Sequence, residues 1–309
     1  MPAVDLSPNA FSRILELYLS ILESEELSQK TISGYRQRDG AFLRAMAASG
    51  ISLDQITRVD VRLFLAQLKT NGCVATTIDA YFRSMRAFFN KMIVEGILQA
   101  PSPMAGMEAP KLPKLIPRTF TRDDIYKMMS LFPHNTFLGI RNRTVLLIFM
   151  DTGIRLAEMA SIQLADIDRE FDLIKIFGKG AKERVVPLGK TTQKMLLKYK
   201  TMFRSDPNDR LPCLWLTEEG RPLTRDGVQM MVRRLIRLAG ITGVKVGPHA
   251  FRHFAATNYL MNGGDKSTLK TMLGHSTYQM VDRYSGSVET QLMQRVHKSA
   301  SPVDKLHLF

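Results

Sequence analysis

Four side chains able to act on a phosphate ester, His249, Arg252, His275 and Tyr284, lie within thirty-six residues of one another near the end of the 309-residue chain. They belong to the runs Pro248-His249-Ala250-Phe251-Arg252-His253 and Leu273-Gly274-His275, with Tyr284 beyond. Upstream, Thr152-Gly153-Ile154-Arg155 offers a second guanidinium and Gly178-Lys179-Gly180 an amine. Attack on a phosphodiester places negative charge on two non-bridging oxygens. A guanidinium meets that charge with two parallel hydrogen bonds and keeps its proton, which suits Arg155 and Arg252, with His275 as a third donor. A phenol can act as nucleophile and leave a covalent, energy-retaining link. It ionises only at about pH 10, so it needs nearby cations or a base. The set could therefore grip and cut a phosphodiester with no metal and no cofactor. Gly178-Lys179-Gly180 is not a nucleotide-binding P-loop, because the upstream glycine and the following Ser/Thr are missing.

These groups need a scaffold, and the sequence predicts one that is mainly α with a small β-sheet. Residues 8–99 have helical periodicity: Phe11, Ile14, Leu15, Tyr18, Leu19 and Leu22 mark a first helix, with others expected over Thr31–Ala48, from Thr57 to Gly72, and over Thr76–Glu95. Five prolines between Pro101 and Pro117 break the pattern and predict an extended connector. The expected organisation is an N-terminal helical bundle over 1–105, a linker over 106–117 and a second domain over 118–309. In the second domain, Thr121 is placed to cap a helix over Ile125–Leu131, and Arg141–Thr152 reads as an apolar helix ended by Gly153. A short helix from Leu156 to Gln163 follows. Leu173–Phe177 and Arg184–Leu188 flank a tip bearing Lys179 and Lys182, the pattern of a β-hairpin. Further helices are expected over 191–203, 224–239, 249–262, 266–273 and 288–298. Tyr259 reads as core on its helix face, and His253 as a structural neighbour of the reactive set.

Composition narrows the partner. The formal charge is +14, and residues 1–110 carry 11 Lys/Arg against 11 Asp/Glu, so residues 111–309 hold all of the excess. Such asymmetry suits a polyanion clamp that grips hardest with its second half. The strongest basic helix is 224–239, with Arg225, Arg233, Arg234 and Arg237, a candidate for a major groove. In the bundle, Lys30, Arg36, Arg38, Arg44, Arg58, Arg62, Lys69, Arg83, Arg86 and Lys91 are compatible with phosphate contacts. No apolar run is long enough to span a membrane, and Asp5, Pro8 and Arg13 interrupt any signal-peptide core. Cys73 and Cys213 lack metal-ligand spacing, consistent with a reducing cytoplasm.

Thr152-Gly153-Ile154-Arg155-Leu156-Ala157-Glu158, Gly178-Lys179-Gly180-Ala181-Lys182-Glu183-Arg184, His249-x-x-Arg252-His253, Leu273-Gly274-His275 and Tyr284 together resemble the signature boxes of the tyrosine recombinase (phage integrase) family. Order and separation both match: 24 residues from Arg155 to Lys179, three from His249 to Arg252, and nine from His275 to Tyr284. The resemblance implies a SAM-like core-binding domain ahead of a catalytic domain. It also implies cleavage of double-stranded DNA through a 3′-phosphotyrosine on Tyr284 rather than Tyr278. His249 is then the proton acceptor, Lys179 the general acid with Lys182 its rival, and Glu158 an orienting partner. Four protomers are expected to act together on paired sites, with helix 288–298 docking on a neighbour and accessory DNA-bending or directionality proteins as further partners. The compact size, with no arm-binding domain ahead of the bundle, fits an Xer-type resolvase of DNA multimers. It equally fits a phage or transposon integrase. The 70 residues from Lys179 to His249 leave little room for the insertion of integron integrases. Two alternatives share some of these features: a type IB topoisomerase-like enzyme, and a DNA-binding accessory protein without catalysis.

Overall fold

The computed structural model describes residues 4–112, 118–178, 183–204, 211–244 and 247–285, together with His297. The chain divides into two compact units, residues 1–115 and 116–309, each with its own hydrophobic core.

The first unit is built from α1 (Phe11–Ser24), α2 (Gln29–Ala48), α3 (Arg58–Thr70) and α4 (Ala75–Val94). Local chemistry sets where these helices start. The Ser28 hydroxyl accepts from the Thr31 backbone N–H to cap α2. Thr57 caps α3 while Asp60 reaches back to the Thr57 N–H at 2.8 Å, a reciprocal box that satisfies two otherwise orphaned donors. Aromatic residues make much of this core: Phe88 of α4 meets Tyr18 edge-on at 5.1 Å, and Phe42 of α2 meets Phe64 of α3 at 5.2 Å. Beyond α4 the chain stays on the bundle further than its prolines suggest. Met104 and Met107 are buried in this core, Arg58 donates to the Ala105 carbonyl, and Arg86 donates to the Met107 carbonyl while stacking on Phe82.

The second unit begins with α5 (Arg122–Ser130), α6 (Phe137–Thr152) and α7 (Leu156–Ser161). Helix α6 starts four residues ahead of Arg141, because the Thr136 hydroxyl caps it through the Gly139 N–H. It ends at Gly153, whose φ of +62° is the left-handed conformation that glycine adopts at least cost. Strands β1 (Leu173–Phe177) and β2 (Glu183–Pro187) form the antiparallel hairpin, with Ile176 opposite Arg184. Ile174, Ile176 and Val186 face the core, while Leu173, Phe177 and Val185 are exposed. Helix α8 (Lys190–Lys198) runs into a π turn over Tyr199–Phe203, where Tyr199 stacks on Trp215. Helices α9 (Arg225–Leu238), α10 (Pro248–Met261), α11 (Lys266–Leu273) and α12 (Tyr278–Ser285) complete the described fold. Of these, α12 has no counterpart among the sequence expectations. The helix expected over 288–298 lies outside the described residues apart from His297. Among the described residues no helix is long and apolar enough to cross a membrane.

Candidate active site

The site assembles around the C-terminal end of α11. The last carbonyls of a helix lack intrahelical donors, and the helix dipole makes that end negative. Here three successive carbonyls accept from three different arginines. Met272 O takes Nε of Arg184 at 2.8 Å, Leu273 O takes Nη2 of Arg252 at 2.7 Å, and Gly274 O takes Nη2 of Arg155 at 3.2 Å. Gly274 has φ +62°, which ends the helix and turns the chain so that His275 follows at once.

Each arginine comes from a different segment. Arg155 precedes α7, and its own backbone N–H donates to Glu158 Oε2 at 2.8 Å while Nη1 holds Oε1 at 2.9 Å. Its side chain remains 38% exposed. Arg252 rises from the first turns of α10 and is 3% exposed. Its Nη1 donates to the Gly153 carbonyl at 2.8 Å, and its Nη2 lies 2.7 Å from His275 Nε2. Burial lowers the Arg252 pKa to about 10, the charge of Arg155 adds to this, and Tyr284 opposes it through its charge and its hydrogen bond. Arg252 therefore stays cationic at neutral pH. Glu158 is buried, which alone would raise its pKa. Hydrogen bonds from Arg184 and the Arg155 backbone, with the Arg184 charge, outweigh burial and hold it at about 2.

Tyr284, on α12, is enclosed by two imidazoles. His253 meets its ring edge-on at 4.9 Å, and His275 stacks on it at 6.0 Å with 11° between the planes. Burial depresses the His253 pKa, so its ring is neutral at physiological pH. His249 is exposed at the second position of α10, one turn before Arg252 and His253, which puts all three on one side of the helix. Tyr278 is engaged elsewhere: it is half exposed, with Lys270 Nζ 4.4 Å from its ring centre. Of the six residues singled out in the sequence, Arg155, Arg252, His275 and Tyr284 are thus linked through named contacts, and His249 shares the helix of Arg252. Lys179 lies outside the described residues, as does its rival Lys182.

The phage integrase family matches residues 118–290, and its N-terminal SAM-like domain matches residues 15–96. The chain is a member of the phage integrase family of tyrosine recombinases. Among the relatives of this recombinase, "Tyrosine recombinase XerD" of Oceanobacillus iheyensis is 32% identical over 86% of this chain and 90% of its own length. "Tyrosine recombinase XerC" of Bacillus pumilus is 28% identical over 94% of this chain and 96% of its own. Among solved structures, the fold resembles that of a lambda integrase dimer bound to a COC′ core site (TM-score 0.73, 19% identity, covering 88% of this chain and 94% of that one).

The recombinase carries its surface charge unevenly. On α9, Val228, Val232, Leu235 and Ile236 are buried, leaving Arg225, Arg233, Arg234 and Arg237 exposed. In the SAM-like unit the basic residues are more committed. Arg36 pairs with Glu16, Arg83 with Asp79, Lys91 with Glu25 and Glu95, and Arg58 and Arg86 hold backbone carbonyls. One polar residue of the site had no role assigned from sequence: Arg184. Its signal was its register, a cation on the strand face otherwise given to Ile174, Ile176 and Val186.

Proposed function

We propose that this tyrosine recombinase cuts and rejoins double-stranded DNA with Tyr284 as the nucleophile. The Tyr284 hydroxyl gives its proton to His249 and attacks the scissile phosphorus. The bond from phosphorus to the 5′-oxygen breaks, and that oxygen takes a proton from Lys179. The products are a 3′-phosphotyrosine and a free 5′-hydroxyl. A 5′-hydroxyl from a second duplex then attacks the same phosphorus and expels Tyr284. Each step exchanges one phosphate ester for another, so no ATP is consumed. Arg155, Arg252 and His275 hold the non-bridging oxygens, where fixed donors lower the barrier most; losing one such donor costs roughly 3–4 kcal/mol in related oxyanion sites.

The observation that carries this reading is the position of the Tyr284 ring against His253 and His275, with the Arg252 guanidinium in turn touching His275. A phosphate held by Arg252 and His275 would lie within reach of the phenol. The likeness to XerD and XerC over most of the chain supports paired recombination sites and a homo-tetramer, in the service of resolving DNA multimers. We place the protein in the cytoplasm, with the DNA it acts on.

Covalent protein–DNA adducts immunoprecipitated from host cells give the target sequence, and a nicked suicide duplex bearing that sequence then gives the decisive assay. Wild type should accumulate an adduct and Tyr284→Phe none; an adduct of equal yield in Tyr284→Phe would sink the proposal. Adducts mapping to a single chromosomal locus support multimer resolution, whereas adducts at the ends of a mobile element support integration. Relaxation of supercoils lacking that sequence would point to the topoisomerase-like alternative instead.

A further inference from the structure

Arg184 is an uncommon residue for its place. It sits on β2 with its side chain 10% exposed, and its side-chain hydrogen bonds go to residues of the site. Its Nη1 and Nη2 donate to Glu158 Oε1 and Oε2 at 3.0 and 2.7 Å, while Nε holds the Met272 carbonyl. This is the parallel fork by which a guanidinium recognises a carboxylate best. Its plane also lies against Gly274, where an added Cβ would come within 3.1 Å of Nη1 and 3.2 Å of Cζ.

The electrostatic consequence concerns Arg155. Glu158 stands between two guanidiniums, and Arg155 and Arg184 share its Oε1. With Arg184 present, the Arg155 guanidinium engages the carboxylate through Nη1 alone while its backbone N–H holds Oε2, and the trio keeps one net positive charge. Without Arg184, Glu158 would be a buried carboxylate whose remaining ion-pair partner among the described residues is Arg155. A bidentate pair would then be the lowest-energy arrangement, because an unpaired buried charge is costly. Arg155 would turn toward Glu158, and its charge would be cancelled locally.

We propose that Arg184 is a positioning residue for strand cleavage: by occupying both oxygens of Glu158 it leaves the Arg155 guanidinium charged and aimed at the scissile phosphate. Arg184 itself does not touch the reacting atoms. This rests on the reading of Arg155 and Tyr284 given above.

The test uses the full chain, the suicide duplex and the single-turnover rate of adduct formation. Arg184→Gln should slow adduct formation by about a hundredfold, the scale of loss expected when a catalytic group is misplaced by about 1 Å, while DNA affinity stays within about threefold. Adding Glu158→Gln to Arg184→Gln should restore about tenfold, because Arg155 no longer has a carboxylate to neutralise it. Arg184→Lys, which keeps the charge beside Glu158, should be faster than Arg184→Gln by a similar factor. A merely structural bridge predicts that the adduct rate follows the folded fraction in every variant, because the double variant also loses the uncompensated buried charge. The positioning role predicts that the rate per folded molecule falls in Arg184→Gln and recovers in the double variant. A double variant no faster than Arg184→Gln would overturn the inference, as would Arg184→Lys no faster than Arg184→Gln. So would an Arg184→Gln protein that cleaves at the wild-type rate. Absence of an adduct in the wild type would instead overturn the assignment of Tyr284, a different and recognisable result.

Discussion

Gly153 and Gly274, at the ends of α6 and α11, both have φ +62°, and each presents its carbonyl to an arginine from elsewhere, Arg252 and Arg155 respectively. At Gly153 an added Cβ would lie 2.8 Å from Leu273 Cδ2 and 3.2 Å from the Ala255 Cβ. Left-handed backbone costs an L-residue about 1 kcal/mol, and the crowding adds to it. Gly153→Ala is expected to destabilise the second unit by about 2–3 kcal/mol, read from the urea midpoint of Trp215 fluorescence. The same variant should slow adduct formation, since the carbonyl that anchors Arg252 must move. At this scale the sequence was readable where side-chain chemistry and chain separation coincided, as for Arg155, Arg252, His275 and Tyr284. It was silent on Arg184 because its partner Glu158 lies 26 residues away, and no local pattern says which carboxylate a guanidinium will find.

Helix boundaries were legible at Thr57 for α3, Thr121 for α5 and Gly153 for α6, where a cap or a left-handed glycine marks them. Helix α12 escaped because it is only eight residues long, and Val281 is its one fully buried apolar residue among those described. Helix α6 was cut short because Thr136 and Gly139 resemble loop residues until the capping bond is seen. The bundle also conceals a titratable group. Asp39 on α2 is fully buried, and burial pushes its carboxyl up to about 7, with Ser84 and Arg38 opposing the shift. Burial followed by the Asp39 charge raises the Tyr18 phenol as well. Because the folded pKa exceeds the unfolded value of 3.8, the folded state holds a proton that the unfolded chain releases. Stability from this group is full below about pH 4 and is lost as pH rises toward 7. Asp39→Asn should therefore stabilise the bundle at pH 8 by about 2–4 kcal/mol and flatten its pH dependence between pH 5 and 8. Circular dichroism of the full chain would show the shift. The single tryptophan, Trp215, lies in the other unit, so its fluorescence transition should not move. An unchanged circular dichroism midpoint at pH 8 would refute the expectation.

For the protein as a single object, the excess charge of residues 111–309 has a measurable meaning. Each phosphate neutralised by an arginine contributes about 0.9 to the slope of log affinity against log salt. Arg233→Ala, Arg234→Ala and Arg237→Ala on the exposed side of α9 should each lower that slope by about 1 if the side chain meets a phosphate. A residue reading a base would instead lose discrimination at one position of the site. Titrations between about 50 and 200 mM salt separate the two outcomes. The chain divides into units 1–115 and 116–309, and the proline run gave no sign of how far packing continues past α4. Met104 and Met107 sit among residues whose composition favours extended chain, and their burial depends on Arg58 and Arg86 reaching across from α3 and α4.

The three carbonyls at the tip of α11 have a further consequence. Arg184, Arg252 and Arg155 share consecutive peptide groups as acceptors, while Glu158 and the Gly153 carbonyl hold them from the other side. Fraying of that one turn would loosen all three at one end and draw His275 away from Tyr284. The site would lose its register while nearly all of the fold stays intact, and regain it when Met272, Leu273 and Gly274 wind back.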